Sequence, residues 1–237
     1  YFPDILVAYR LIIRTPNVDL TKIIEEDDLR RELDLVINIK PTNSELHYLR
    51  GTNEYSDRMF GEDYLNFLKN IQMRSSSLRY DGDAIKLEFF GCWHEVIYWE
   101  IFALAIINEL YSQAMMSKLT SFEKKVVLST GRIRLNEKIK IVRQYPGIIF
   151  SDFATRRRSS FDWHDEVVQT LSEELPHQFL GTSDVFLAMK HGLTPMGTSA
   201  HEMSQVMSGI YHHSDEAIRG SQNRGFELWW KEYGYGL

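Results

Sequence analysis

Three short stretches decide the fold: Ile148-Ile149-Phe150-Ser151-Asp152-Phe153-Ala154-Thr155-Arg156-Arg157-Arg158, then Gln178-Phe179-Leu180-Gly181-Thr182-Ser183-Asp184, then Thr194-Pro195-Met196-Gly197-Thr198-Ser199-Ala200-His201-Glu202. Each opens on a brief apolar run that reads as a strand: Ile148 to Phe150, Gln178 to Leu180 and Thr194 to Met196. Each continues into a polar loop and then a helix. The helices are expected over Asp162 to Leu175, where Val167, Val168, Leu171 and Leu175 share a face, over Asp184 to Lys190, and from Ala200 onward. Short strands alternating with helices build a parallel sheet or barrel, and in such folds ligands sit at the carboxyl ends of the strands. All three loops fall at those ends.

Upstream the rhythm differs. Ile5 to Ile13 is apolar on both faces and reads as a central strand. Thr21 to Ile37 has helical spacing with Asp19 or Thr21 as cap, and shorter helices follow over Asn43 to Leu49 and Glu62 to Asn70. Asp81-Gly82-Asp83 supplies a turn between strands at Leu78 to Tyr80 and Ile85 to Phe90. Trp93 to Met116 is apolar nearly all round, the mark of a buried helix, and a basic helix capped by Ser121 ends before Pro146-Gly147. The expectation is an α/β protein with an N-terminal α+β domain over residues 1–120 and an irregular α/β barrel, partly covered, over 121–237. The chain starts at Tyr1 rather than Met and stops in an aromatic run, so it reads as an internal portion of a longer protein.

Composition removes several function classes. With 43% hydrophobic and 13% aromatic residues, the 237-residue chain has the makings of a core, which excludes disorder. The most apolar stretch, Val96 to Leu110, contains Glu100 and Glu109 and falls short of the ~20 apolar residues of a membrane span. A single cysteine, Cys92, allows neither an intramolecular disulfide nor a cysteine zinc site and fits a reducing, cytoplasmic setting. Net charge is −6, which argues against general nucleic-acid binding. Yet residues 118–158 hold 11 Lys or Arg against 3 Asp or Glu. Such a stretch suits a small anion such as a phosphate ester, or else is a solvated helix face.

The loops offer chemistry of the same kind. Of three consecutive arginines at least one points inward, and a guanidinium grips carboxylate or phosphate bidentately; a surface run is the plain alternative. Phe153 beside them is either core or a platform for a flat ring. Gly181-Thr182-Ser183 and Gly197-Thr198-Ser199 each precede a helix N-terminus, where free N–H groups favour anions, although ordinary capping explains either alone. His201 falls in the first turn of the last helix. A histidine there is a nucleophile toward phosphorus if Glu202 or another carboxylate holds its second nitrogen; otherwise it is a hydrogen-bonded rim residue. No metal-ligand spacing is present.

Taken together, the Asp-Phe-x-Thr-Arg-Arg-Arg loop, the Gly-Thr-Ser loop and the Thr-Pro-Met-Gly-Thr-x-Ala-His-Glu run closely resemble nicotinate phosphoribosyltransferase, of the type II phosphoribosyltransferase superfamily. The resemblance extends through Tyr1 to Arg14, Phe90 to Leu110 and Trp229 to Leu237. It implies transfer of phosphoribosyl from phosphoribosyl pyrophosphate to nicotinate, giving nicotinate mononucleotide and pyrophosphate, with Mg²⁺ on the phosphates and ATP as co-substrate. It makes His201 the residue phosphorylated by ATP, Phe153 a stacking partner of the pyridine ring and Arg156 a partner of carboxylate or phosphate. Ser183, Gly197, Thr198 and Ser199 line the substrate, with Asp152, Thr155, Arg157, Thr182 and Glu202 as further candidates. A homodimer with a shared site is the implied assembly. Ala154 stands where many relatives have Gly. Two rivals are the nicotinamide enzyme, which typically carries Asp where this chain has Ser183, and a catalytically silent fragment acting only in assembly.

Overall fold

A computed structural model describes residues 1–54, 57–198 and 200–234. The N-terminal half is built on an antiparallel sheet of three strands, β1 (Leu6–Arg10), β4 (Ser76–Asp81) and β5 (Ala84–Cys92), in the order β1-β5-β4. Between β1 and β4 lie α1 (Glu26–Ile37), α2 (Asn43–Arg50), a small ribbon of β2 (Asn53–Glu54) and β3 (Asp57–Arg58), and α3 (Glu62–Lys69). The expected hairpin is present, with Gly82 at positive φ in its turn. β1 is an edge strand rather than a central one. Val7 and Tyr9 face the core, while Leu6 is 60% exposed and shares the outer face with Phe90 across the ladder. The helix expected from Thr21 divides into a 3₁₀ turn at Leu20–Lys22, capped by Asp19, and α1.

After β5 the chain enters α4 (Trp93–Val96) and α5 (Trp99–Ser117), the latter buried through Trp99, Ala103 and Ile107. Phe89 stacks on Trp99 with ring centroids 4.4 Å apart, joining sheet and helix in the main core with Leu29, Leu33, Leu87 and Val96. Next comes the basic helix α6 (Ser121–Arg143). Its cap is Thr120, not Ser121, with Glu123 completing a capping box.

The second sheet is parallel, β6 (Phe150–Asp152), β7 (Phe179–Thr182) and β8 (Thr194–Pro195), in that order. Helices α7 (Phe161–Glu174) and α8 (Val185–His191) connect its strands, and a helical hairpin of α9 (His201–Ile210) and α10 (Asp215–Tyr233) follows. A smaller core of Ile139, Val168, Leu175, Phe179 and Leu187 lies between this sheet, α6, α7 and α8. The architecture is the expected mixed α/β one, with a short parallel sheet following a unit built on an antiparallel sheet. Among the described residues no helix is long and apolar enough to cross a membrane.

Candidate active site

Parallel pairing aligns the carboxyl ends of the three strands. Asp152 pairs with Thr182 and Thr182 with Pro195; the Ser183 amide donates to the Asp152 carbonyl at 2.8 Å, and the Met196 amide to the Thr182 carbonyl at 3.0 Å. The chain therefore leaves β6 into Phe153, β7 into Ser183 and β8 into Gly197 and Thr198 along one rim. Phe153, Gly197, Thr198 and His201 are exposed there, and Ser183 is half-buried. Ser199 lies outside the described residues.

Beneath the rim is a buried polar network. The Asp152 carboxylate accepts from His164 Nε2 at 2.6 Å, from Thr182 Oγ1 at 2.7 Å and from the Ala154 amide at 3.2 Å. Burial works to raise the Asp152 pKa, but the bonds from His164 and Thr182 outweigh it and the group titrates below the usual carboxylate range. His164 is 2% exposed and lies between two acids, with Asp184 Oδ2 3.9 Å from its Nδ1. Asp184 also caps α8 through the Leu187 amide at 3.1 Å and accepts from Arg158 at 3.2 Å. The α8 N-terminus, expected as an anion seat, is thus occupied by the chain's own carboxylate. Thr182 belongs to β7 rather than to a loop, and its hydroxyl is spent on Asp152. Asp152 and Thr182 fasten β6 to β7.

The arginines divide three ways. The loop forms a 3₁₀ turn at Thr155–Arg157 that seats on α5, where Asn108 donates to the Arg156 carbonyl at 2.9 Å. Arg158 is the inward one, paired with Asp184 and with Glu109 at 3.8 Å and set 5.2 Å from the Phe161 ring. Arg157 is exposed, and Thr155 makes a long hydroxyl contact of 3.4 Å with Asp184. Arg156 forms an ion pair with Glu100 of α5 and remains partly open at the rim. Glu202 does not face His201. Its Oε1 accepts from Trp93 Nε1 at 2.6 Å and from the Tyr9 hydroxyl. Burial, followed by Glu202, pushes the Tyr9 phenol well above its ordinary pKa, so it stays a donor.

Sequence reasoning missed His164, Asp184, Glu100 and the Tyr9–Trp93 pair. Asp184 had a visible signal, an acid just before an apolar helical run. The others are recognisable only once their distant partners are in place.

Together the sheet and rim define an α/β protein whose candidate site lies at the carboxyl ends of parallel strands. The model of the nicotinate phosphoribosyltransferase (NAPRTase) N-terminal domain matches residues 1–108, and the model of the nicotinate phosphoribosyltransferase (NAPRTase) family matches residues 148–237. The chain belongs to the nicotinate phosphoribosyltransferase family. Its structure is similar to that of the nicotinate phosphoribosyltransferase of Porphyromonas gingivalis, with a TM-score of 0.81 and 25% identity over 98% of this chain and 56% of that one. A nicotinate phosphoribosyltransferase from Vibrio cholerae gives 0.79 and 24% over 98% and 52%, and a chain from Saccharomyces cerevisiae gives 0.72 and 22% over 98% and 56%. The chain therefore spans a little over half the length of these relatives.

Proposed function

We propose that the protein containing this chain transfers phosphoribosyl from phosphoribosyl pyrophosphate to nicotinate, forming nicotinate mononucleotide and pyrophosphate in NAD synthesis from nicotinate. ATP hydrolysis is coupled to the transfer through phosphorylation of His201. The observation that carries this reading is the alignment of three strand ends into one rim bearing Phe153, Ser183, Thr198 and His201, within the segment that the family model matches.

The pyridine nitrogen of nicotinate already has a lone pair for attack on the ribose C1, so no general base is needed. The protein has to position the ring and neutralise the leaving diphosphate. Phe153 offers its exposed ring face for stacking. Arg156 is pre-oriented by Glu100, which holds one guanidinium nitrogen and leaves the rest of the fork for carboxylate or phosphate. Gly197, Thr198 and Ser199 lie before an α9 N-terminus that has no side-chain cap, so its N–H groups are open to phosphate. Arg157 and Thr155 belong to the 3₁₀ turn after β6, beside Arg156. Mg²⁺ enters with the phosphates as part of the substrate complexes. Among the described residues no group of three or more His, Cys, Asp or Glu is placed to hold a metal, and Asp152 and Asp184 are already bonded within the chain. The site is completed by a second copy in a cytoplasmic homodimer.

Ser183 separates the acid substrate from the amide. Its hydroxyl can donate to a carboxylate, whereas an aspartate would repel the carboxylate and accept from an amide N–H₂ instead. Like charges in a partly dry pocket cost several kcal/mol, while one charged hydrogen bond contributes about 1.5–3 kcal/mol. Full-length protein should therefore form nicotinate mononucleotide with ATP consumption, and Ser183→Asp should lower kcat/KM for nicotinate at least ~100-fold while raising nicotinamide use. An unchanged ratio of the two bases would reduce Ser183 to a strand-end residue. Absence of product from wild-type protein would refute the assignment.

A further inference from the structure

His201 lies on a helix held by two kinds of contact, one apolar and one polar. One face of α9 packs on α10, with Met203 of the first turn and Met207 of the second against Gly225, and Ser208 hydrogen-bonded to Ser221 at 3.0 Å. The near end follows the exposed Gly197 and Thr198, and its cap position is Ala200, which has no side chain able to cap it. Besides the Met203 contact, this uncapped first turn has a polar tie on its other side. Glu202, its second residue, reaches the N-terminal unit and takes both donors on one oxygen, Tyr9 from β1 and Trp93 from α4. Trp93 is itself fixed by its backbone amide, 2.8 Å from the Ile5 carbonyl.

Neighbouring helical side chains point about 100° apart. Fixing Glu202 toward Tyr9 and Trp93 therefore fixes the azimuth at which His201 leaves the helix, and it faces solvent at the rim. Two donors on one carboxylate oxygen, reaching it from two separate elements, define its position more tightly than a single pair would. The second rim group is held in the same way: Arg156 reaches back to Glu100 of α5. Both contacts run from the segment of the parallel sheet to the part of the chain before it.

We infer that Glu202, clasped by Tyr9 and Trp93, is the positioning residue of His201, so that the N-terminal sheet sets the reactivity of the imidazole toward the phosphoryl donor. The inference rests on the reading of His201 as the phosphoryl acceptor. The Glu202 carboxylate is directed at Tyr9 and Trp93 and not at the imidazole. It acts by holding the first turn of α9 still, and loss of the clasp spreads the imidazole over orientations of which few face the donor in line.

Two readouts on the full-length protein test this. The first is amide hydrogen exchange at Gln205 and Val206, whose N–H groups bond to the carbonyls of His201 and Glu202 in a regular helix. The second is the rate of ³²P transfer from γ-labelled ATP to His201, together with kcat and KM for nicotinate. Glu202→Ala should speed exchange at these two amides about tenfold or more and slow labelling by about 10- to 100-fold, with the nicotinate KM within about twofold of wild type. Glu202→Gln keeps an oxygen for both donors and should recover most of the labelling rate. Tyr9→Phe, which deletes one oxygen atom and spares the fold, should fall between Glu202→Ala and wild type in both readouts. Unchanged exchange in Glu202→Ala and Tyr9→Phe would overturn the inference, and so would equal losses in Glu202→Ala and Glu202→Gln or an effect confined to KM. If wild-type protein takes no label, the reading of function fails, and the exchange rates alone decide whether Glu202 fixes the turn.

Discussion

In the antiparallel sheet the inward side chains are Leu78, Ile85, Leu87 and Phe89, which pack on Trp99, Val96 and the buried face of α1. In the parallel sheet the strands are two to four residues long, and their carboxyl ends are joined by Asp152, Thr182, His164 and the Ser183 amide. The first sheet can rely on area removed from water, which tolerates small shifts because it is non-directional. The second adds to its small core a set of directional bonds, each requiring its partners at fixed distances. A rim that must hold ring, carboxylate and phosphate groups in register gains from the second kind of construction, since hydrogen bonds fix loop positions to a fraction of an ångström. The cost is sensitivity: removing one member strands the others.

The comparison predicts that damage stays regional. Trp99 is fully buried, stacks on Phe89 and donates its indole N–H to the Arg74 carbonyl at 2.9 Å. Trp99→Ala should cost about 3–5 kcal/mol in urea denaturation, the range for truncating a core aromatic. The loss should appear as faster amide exchange in β4 and β5 well before β7 responds. Equal loosening of both sheets would mean that they unfold as one cooperative unit and that their different construction has no energetic consequence.

Gly181 provides the reciprocal test. It sits at φ +154 in β7, and a Cβ there would lie 2.1 Å from the Thr194 carbonyl oxygen of β8. The obstacle is backbone, so relief requires β8 to move away from β7, taking Gly197 and Thr198 with it. Gly181→Ala should cost about 2–4 kcal/mol from strain and overpacking. It should raise exchange in β7 while leaving β4 and β5 protected. Nicotinate turnover should fall further than stability alone accounts for, because the rim is built on the same register. Wild-type exchange in Gly181→Ala would show that the strand ends are more compliant than their bonding suggests.

The same contrast explains what could be read from the chain. Strands and helices in the second half were legible because apolar runs such as Phe179-Leu180 alternate with amphipathic helices, a pattern written in local order. The three loops were legible for a similar reason, since strand ends must be followed by them. The edge position of β1 was not, because apolar residues on both faces describe a central strand as well as an edge strand whose outer face carries Leu6 opposite Cys92 and Ala8 opposite Phe90. Nor could the chain show which arginine turns inward. That choice is made by Asp184 and Glu109, located 26 residues after and 49 before Arg158, and by the seat that Asn108 provides on α5. Sequence order sets Glu202 beside His201, whereas its carboxylate's partners, Tyr9 and Trp93, come from more than 100 residues earlier in the chain. Polar networks of this kind have no period, and only the fold brings their members together.

The smallest expected effect concerns the ionisation of Asp152. Its folded pKa is depressed, so its contribution is present at pH values above the pKa of an unfolded aspartate, about 3.9, and is lost as pH falls through the folded value. Asp152→Asn keeps the shape and one acceptor oxygen but removes the charge that His164 and Thr182 bond to, and it should be less stable than wild type by about 1–2 kcal/mol at pH 6. Other depressed carboxylates, including Asp165 beside Lys190 and His191 and Glu166 beside Arg132, are present in both proteins and cancel in the difference. Urea midpoints measured from pH 6 down to pH 3 should therefore converge below about pH 4, as protonation removes from wild type the charge that the variant lacks throughout. A gap that stays constant to pH 3 would mean that the parallel sheet depends on the geometry of its hydrogen bonds and not on the charge within them. The distinction between the two sheets would then be one of directionality alone.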